Sequence, residues 1–265
     1  MVDFFIDTAD LNAITNIWNK IKDNVDSDKL LGITTNPNAF KKINMFRLKE
    51  WSDHLPKLCE LVTNIRGDRN GVVYVQAPVS SMSSKEIIDF ADYISNFSDG
   101  NTRLGLKIPP FLHALDVISD IEDFMETNVT GVADVGTALF ANSFFPKYVS
   151  IIPGRMEEVG IDAKSQVRYL MNSRLNSYII TGSMRTLEGL RWVSEMGTVP
   201  TIGERVWDLI DDLTFLDKLS FDITSLEFPV QHFSPAISDK NTELSIAFFK
   251  QMDEYGQKCK EDFLK

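Results

Sequence analysis

The strongest chemical signal in the chain is Lys107. It lies in Leu104-Gly105-Leu106-Lys107-Ile108-Pro109-Pro110, between apolar neighbours, with two prolines ending the run. Lysine is seldom fully buried without a partner. Burial disfavours its ammonium form and lowers its pKa. A neutral amine in a dry pocket is a nucleophile that condenses with a carbonyl to a Schiff base. The same pattern suits a lysine snorkelling from a strand end to solvent, or one paired with Asp7. Asp7 follows Phe4-Phe5-Ile6, where a carboxylate beside an imine could shuttle protons as general acid and base. It equally suits the N-cap of a helix starting near residue 9.

Other polar residues end similar apolar runs. Thr34-Thr35-Asn36-Pro37 follows Leu30-Leu31-Gly32-Ile33. Asn36 at an N-cap with Pro37 after it is good helix-start chemistry, and its amide could also hold a substrate hydroxyl. Gln76 ends Val72 to Val75, Thr130 lies in Val129 to Val132, and Ser150 lies in Tyr148 to Ile152. Beyond these come Arg155, Ser183 and Arg185, two guanidiniums and a hydroxyl near expected helix starts. That grouping suits a phosphate clamp, because Arg binds phosphate through two parallel hydrogen bonds and helix N-termini favour anions. Arginines at helix starts are also commonly just solvated.

The elements that must position these groups form a rhythm. To the runs already named add Phe4 to Ile6, Leu104 to Leu106, Tyr178 to Ile180 and Val199 to Ile202. Each is short, almost continuously apolar and rich in β-branched residues, which predicts strands buried on both faces. Helical spacing fills the gaps, over about 10–21, 85–96, 113–124, 134–145, 156–171, 185–195 and 203–212. Strand and helix in alternation predict a parallel sheet with right-handed crossovers. Eight units within about 210 residues fit an α/β fold, a closed (β/α)8 TIM barrel. Such a barrel gathers its reactive groups at the C-terminal strand ends, where the residues above fall. An open doubly wound sheet is the structural alternative. Against it, no G-x-G-x-x-G follows the first strand and no phosphate-binding G-x-x-x-x-G-K-[ST] occurs.

The expected organisation is a barrel over 1–212 and a C-terminal extension over 213–265 within the same domain. Residues 241–264 read as one amphipathic helix, with Phe248, Met252, Tyr255, Cys259 and Phe263 spaced by three or four. Pro229, Pro235 and Ser238-Asp239-Lys240-Asn241 precede it as a linker with an N-cap. Its apolar face needs either its own barrel or a neighbouring subunit.

Composition narrows the function classes. The 265 residues carry a formal net charge of −11, which argues against nucleic acid or an anionic membrane surface as partner. No apolar run approaches the roughly 20 residues of a membrane span. The N-terminus lacks the basic flank and apolar core of a secretory signal. Cys59 and Cys259, far apart, fit a reducing compartment, the cytoplasm. His54, His113 and His232 have no metal-ligand spacing, so neither a metal site nor a Ser-His-Asp hydrolase is expected.

Taken together, Phe4-Phe5-Ile6-Asp7-Thr8-Ala9, Gly32-Ile33-Thr34-Thr35-Asn36-Pro37 and Leu106-Lys107-Ile108-Pro109 resemble the small form of the transaldolase / fructose-6-phosphate aldolase family in order and spacing over about residues 2–210. The resemblance implies a class I aldolase-type barrel that uses no metal or cofactor, with Lys107 as the Schiff-base residue and phosphorylated sugars as substrates. It also implies Asp7 as proton shuttle. Asn36 and Thr130 would hold donor hydroxyls and the catalytic water, with Thr34 beside them. Ser150 would bind the dihydroxyacetone part, and Arg155 and Ser183 the sugar phosphate. Arg185 stands where a basic residue is usual. A homo-oligomer is implied, with a decamer as the suggested assembly.

Two positions depart from the transaldolase pattern. Gln76 stands where transaldolases usually carry Glu and the aldolase branch carries Gln. Ile152 stands where the aldolase branch has Tyr and transaldolases have Phe. Gln76 weakens water activation, whereas Ile152 makes a drier pocket that protects an imine from hydrolysis. With Ser150, the balance favours a transaldolase of the pentose phosphate pathway over an aldolase releasing free dihydroxyacetone. A non-catalytic sugar-phosphate-binding barrel is the reading of another class. The tail and the loop near 38–60 exceed what the smallest members need and point to a divergent version, for which phage encoding is one origin.

Overall fold

The computed structural model describes residues 1–67, 70–222 and 239–265. Eight strands close into one parallel barrel in sequence order. They are β1 Phe4–Asp7, β2 Leu30–Thr34, β3 Val72–Gln76, β4 Arg103–Ile108, β5 Glu126–Val132, β6 Tyr148–Ile151, β7 Tyr178–Thr181 and β8 Val199–Gly203. Closure is direct: Phe5, Ile6 and Asp7 of β1 pair in register with Thr201, Ile202 and Gly203 of β8. This removes the open-sheet alternative and leaves no free strand edge among the described residues.

Around the barrel run α1 Leu11–Ile21, α2 Pro37–Lys42, α3 Leu48–Arg66, α4 Ser84–Ser95, α5 Leu112–Leu115, α6 Ile118–Glu122, α7 Val135–Asn142, α8 Pro153–Glu158, α9 Ala163–Met171, α10 Leu187–Glu195, α11 Glu204–Trp207, α12 Thr214–Asp217 and α13 Asp239–Phe263. Alternation along the strands explains the two cores. Phe4, Ile6, Val73, Val75, Leu104 and Leu106 belong to the large core between strands and helices. Phe5, Val72, Tyr74, Tyr148 and Ile180 form a separate cluster inside the barrel. There the rings of Phe5, Tyr74 and Tyr148 meet edge to face, with centroids 5.7–5.8 Å apart, a favoured aromatic geometry. They make a solid floor at the N-terminal end of the strands.

Several expected elements need correction. The first helix begins at Leu11 and is capped by Asp10, whose carboxylate accepts from Asn12 and Ala13 N–H. Asp7 is therefore no cap. The segment near 38–60 is largely helical, α2 and α3, rather than a loop. The single helix expected over 113–124 is two short ones. The one expected over 156–171 breaks at Gly160, a left-handed residue at φ 75°. Only 204–207 of the expected 203–212 is helical.

The terminal helix α13 lies on its own barrel. It packs against α2, α3, α8 and β5. Pro229, Pro235 and Ser238 of the expected linker lie outside the described residues, whereas Asp239, Lys240 and Asn241 are already helix. Among the described residues no helix is long and apolar enough to cross a membrane.

Candidate active site

The strand ends that point away from the aromatic floor carry a polar layer. Parallel register sets Gln76 beside Lys107 and Lys107 beside Asn128. Asp7 stands beside Thr34 on one side and Gly203 on the other. Neighbours in register project to the same face, so this row faces the barrel axis.

Lys107 is 5% exposed and donates to the carbonyl of Thr35 at 3.0 Å. Burial pulls its pKa below the ordinary lysine value, while the negative charge of Asp7 acts in the opposite direction. The amine is thus biased toward its neutral form without being isolated from a carboxylate. This differs from both alternatives at this position: the side chain neither snorkels to solvent nor forms an ion pair with Asp7 among the described residues. Asp7 accepts from Thr34 Oγ1 at 3.0 Å, and Thr34 and Thr201 share a 2.6 Å hydroxyl contact.

Thr130 is buried at a point where the β5–β6 register shifts, just before left-handed Gly131. Such an irregularity re-aims a side chain. Ser150 donates to Asn128 Oδ1 at 2.8 Å. The Asn128 Nδ2 and Gln76 Oε1 atoms are buried without a protein partner, as is Arg155 Nε. Buried polar atoms are nearly always satisfied. Three orphans around one lysine-bearing mouth mark a place built for polar contacts.

Above this layer lies a cavity of about 210 Å³, walled by Asp7, Asn36, Arg155, Ser183, Arg185 and Met252 among others. Asn36 does both jobs suggested for it: its side chain caps α2 by accepting from Ala39 N–H at 2.9 Å, and it lines this wall. Ser183 is held in a left-handed conformation at φ 57°. A Cβ on Gly154 would stand 1.8 Å from the Ser183 carbonyl oxygen, so only glycine allows α8 to meet that loop. Arg185 donates to Glu158 at 2.7 Å and to the Ser183 carbonyl at 2.8 Å.

Of the residues expected from sequence, Asp7, Asn36, Arg155, Ser183 and Arg185 share the cavity wall. Thr34, Gln76, Lys107, Thr130 and Ser150 are buried in the strand ends and do not line it. Sequence reasoning passed over Asn128 and Thr201, although each sits on the inward parity of its strand, two residues from Thr130 and from Gly203 respectively. It also passed over the cavity-lining Lys42 and Arg205 and the contribution of α13. Phe248 and Met252 line the cavity, and Phe248, Phe249 and Met252 pack with Ala133 and Ile152. No local signal in 239–263 says which surface it covers. Among the described residues no group of three or more His, Cys, Asp or Glu side chains could hold a metal ion.

A probable transaldolase of Chlorobium chlorochromatii is 29% identical over 186 residues, covering 68% of this chain and 75% of that protein. The chain resembles transaldolases. A probable transaldolase 2 of Bacillus anthracis is 26% identical over 77% of this chain and 87% of its own, and one of Streptococcus agalactiae is 26% identical over 81% and 92%. These similarities support the transaldolase family; all three relatives are bacterial and lend no support to a phage origin. No family model matches. Among solved structures, a thiamine phosphate pyrophosphorylase from Pyrococcus furiosus superposes with a TM-score of 0.55 at 13% identity, covering 82% of this chain and 95% of that one. That likeness concerns the fold alone.

Proposed function

We propose that the chain is a transaldolase that carries a dihydroxyacetone unit from a ketose phosphate to an aldose phosphate on Lys107. The observation that carries this reading is the buried Lys107 amine, biased toward neutrality, with the Asp7 carboxylate in electrostatic reach. A neutral amine at a barrel's C-terminal mouth is suited to imine chemistry.

The steps follow from the groups present. Lys107 Nζ attacks the C2 carbonyl of fructose 6-phosphate or sedoheptulose 7-phosphate, and loss of water gives the imine. Asp7, through a water held by Thr130 and Gln76, takes the C4 hydroxyl proton. The C3–C4 bond breaks, its electron pair flows toward the iminium nitrogen, and the aldose phosphate leaves. The enamine left on Lys107 then attacks the carbonyl carbon of erythrose 4-phosphate or glyceraldehyde 3-phosphate, and hydrolysis frees the new ketose. Thr34, Asn36 and Ser150 hold hydroxyls of the donor. Arg155, Ser183 and Arg185 hold the phosphate, which a cation-lined wall favours in a chain of net charge −11.

Borohydride reduction in the presence of fructose 6-phosphate, followed by peptide mass mapping, tests the reading. A label on Lys107 is expected; its absence rejects the mechanism. The second reading, an aldolase releasing dihydroxyacetone, is favoured by Gln76, an amide that supplies no carboxylate next to Lys107. The apolar packing of Ile152 with Phe248, Phe249 and Met252 favours transfer, because it excludes water from the carbon–nitrogen bond. Cleavage measured with and without an acceptor aldehyde separates them: equal rates identify the aldolase.

A further inference from the structure

The cavity has one wall, Phe248 and Met252 of α13, that comes from far along the chain, and Gln251 reaches the cavity through Arg155. Gln251, on α13, places its amide oxygen 3.3 Å from both terminal nitrogens of Arg155. A carboxylate or phosphate would take the same position in the fork of a guanidinium. Both contacts are long for hydrogen bonds. Arg155 also stacks over the Phe248 ring at 5.0 Å, and its Nε has no partner. Glu158 is paired with Arg185 rather than Arg155. The carboxylates of Glu158 and Asp7 act on this partly buried cation through space, but the group hydrogen-bonded in its fork is a neutral amide. Gln251 follows the basic Lys250, and the acidic Glu254 lies three residues on along the helix.

We infer that Gln251 is a specificity-determining residue, a neutral placeholder that keeps the Arg155 fork satisfied and open to exchange for the phosphate of a sugar substrate. This rests on the reading of Arg155 as a phosphate ligand. The amide spares a desolvated guanidinium from lacking a partner, yet it brings no charge, so a phosphate dianion displaces it with a gain of one charge pair. A carboxylate at the same place would form a two-point ion pair and compete with the substrate. The helix need not move for the exchange. Asn241 donates to the Ala133 carbonyl at 2.5 Å, Asp253 accepts from Ser80 N–H and Oγ at 2.7 Å, and Arg47 pairs with Asp262 at 2.9 Å. A change of the Gln251 rotamer suffices.

The test uses the whole chain and compares donors with and without phosphate. Gln251→Glu is expected to raise KM for fructose 6-phosphate about tenfold or more and to weaken competitive inhibition by inorganic phosphate by a similar factor, with a far smaller change in any KM measured for the phosphate-free donor fructose. Gln251→Met, which offers no acceptor, should leave KM for fructose 6-phosphate unchanged or lower it. Gln257→Glu, the same charge change at an exposed position on the same helix, should leave KM near wild type. In an Arg155→Met background the Gln251→Glu effect should vanish. If Gln251→Glu folds normally and does not raise KM while Arg155→Met does, the inference about Gln251 is wrong and the phosphate reading stands. If Arg155→Met itself leaves KM for fructose 6-phosphate unchanged, the phosphate assignment falls. An equal effect of Gln257→Glu would reduce the role of Gln251 to general repulsion and overturn the inference.

Discussion

Burial makes the protonated form of Lys107 costly in the folded chain, and pH reads that cost with a definite sign. Between the lowered value and the ordinary lysine value near 10.5, the unfolded chain binds a proton that the folded one has released. Stability therefore rises with pH through that window, and below it the full cost is carried. Lys107→Met should abolish borohydride trapping yet raise Tm, by about 2–4 °C for each ~1 kcal/mol relieved. The gain should be larger at neutral pH than at strongly alkaline pH, and calorimetry at two pH values checks it. Imine formation in the native protein should fall as pH drops through the lowered value. Gln76→Glu, placing a carboxylate in register beside the amine, should move that fall to higher pH, because an opposite charge favours the ammonium. Asp7→Asn should keep trapping but cut turnover by about 10²–10⁴-fold. The identity of these groups was readable because each ends an apolar run. Their freedom was not: only the structure shows Asp10 capping α1, which releases Asp7 from that duty.

Among the elements, α13 couples distant parts of the chain through backbone proximity. A Cβ on Gly256 would lie 1.6 Å from the carbonyl oxygen of Pro78. Gly256→Ala must push the helix off the β3–α4 loop, at about 1–3 kcal/mol of overpacking. Lower Tm together with a raised KM for phosphorylated donors is expected, since Gln251, Phe248 and Met252 travel with the helix; a changed Tm with unchanged KM would show the wall tolerates the shift. The amphipathic pattern of 241–264 was legible in its spacing, and Phe248, Met252 and Cys259 are indeed buried. Where it docks was not legible, because the same stripe fits any apolar surface. The segments 113–124 and 156–171 kept helical spacing across breaks that only local backbone geometry reveals, such as left-handed Gly160.

For the molecule as a whole, the barrel was written in eight apolar runs, since strands buried on both faces leave no polar alternation to confuse them. Their closure shows in the β1–β8 ladder. The barrel also divides labour between its ends. Tyr74 of the aromatic floor donates to Glu126 at 2.9 Å, and Glu126 pairs with Arg103. Tyr74→Phe should cost about 1 kcal/mol of stability and leave kcat/KM within about twofold, as expected for the end remote from the chemistry. The packed rings of Phe5, Tyr74 and Tyr148 have a further effect on traffic. Among the described residues these rings fill the barrel at that end, which leaves the polar mouth as the way in. Under the proposed transfer, a sugar that enters by this mouth leaves by it, and the first aldehyde departs before the second arrives. Reciprocal-rate plots at several acceptor concentrations should then run parallel, the signature of two reactants taking turns on one amine.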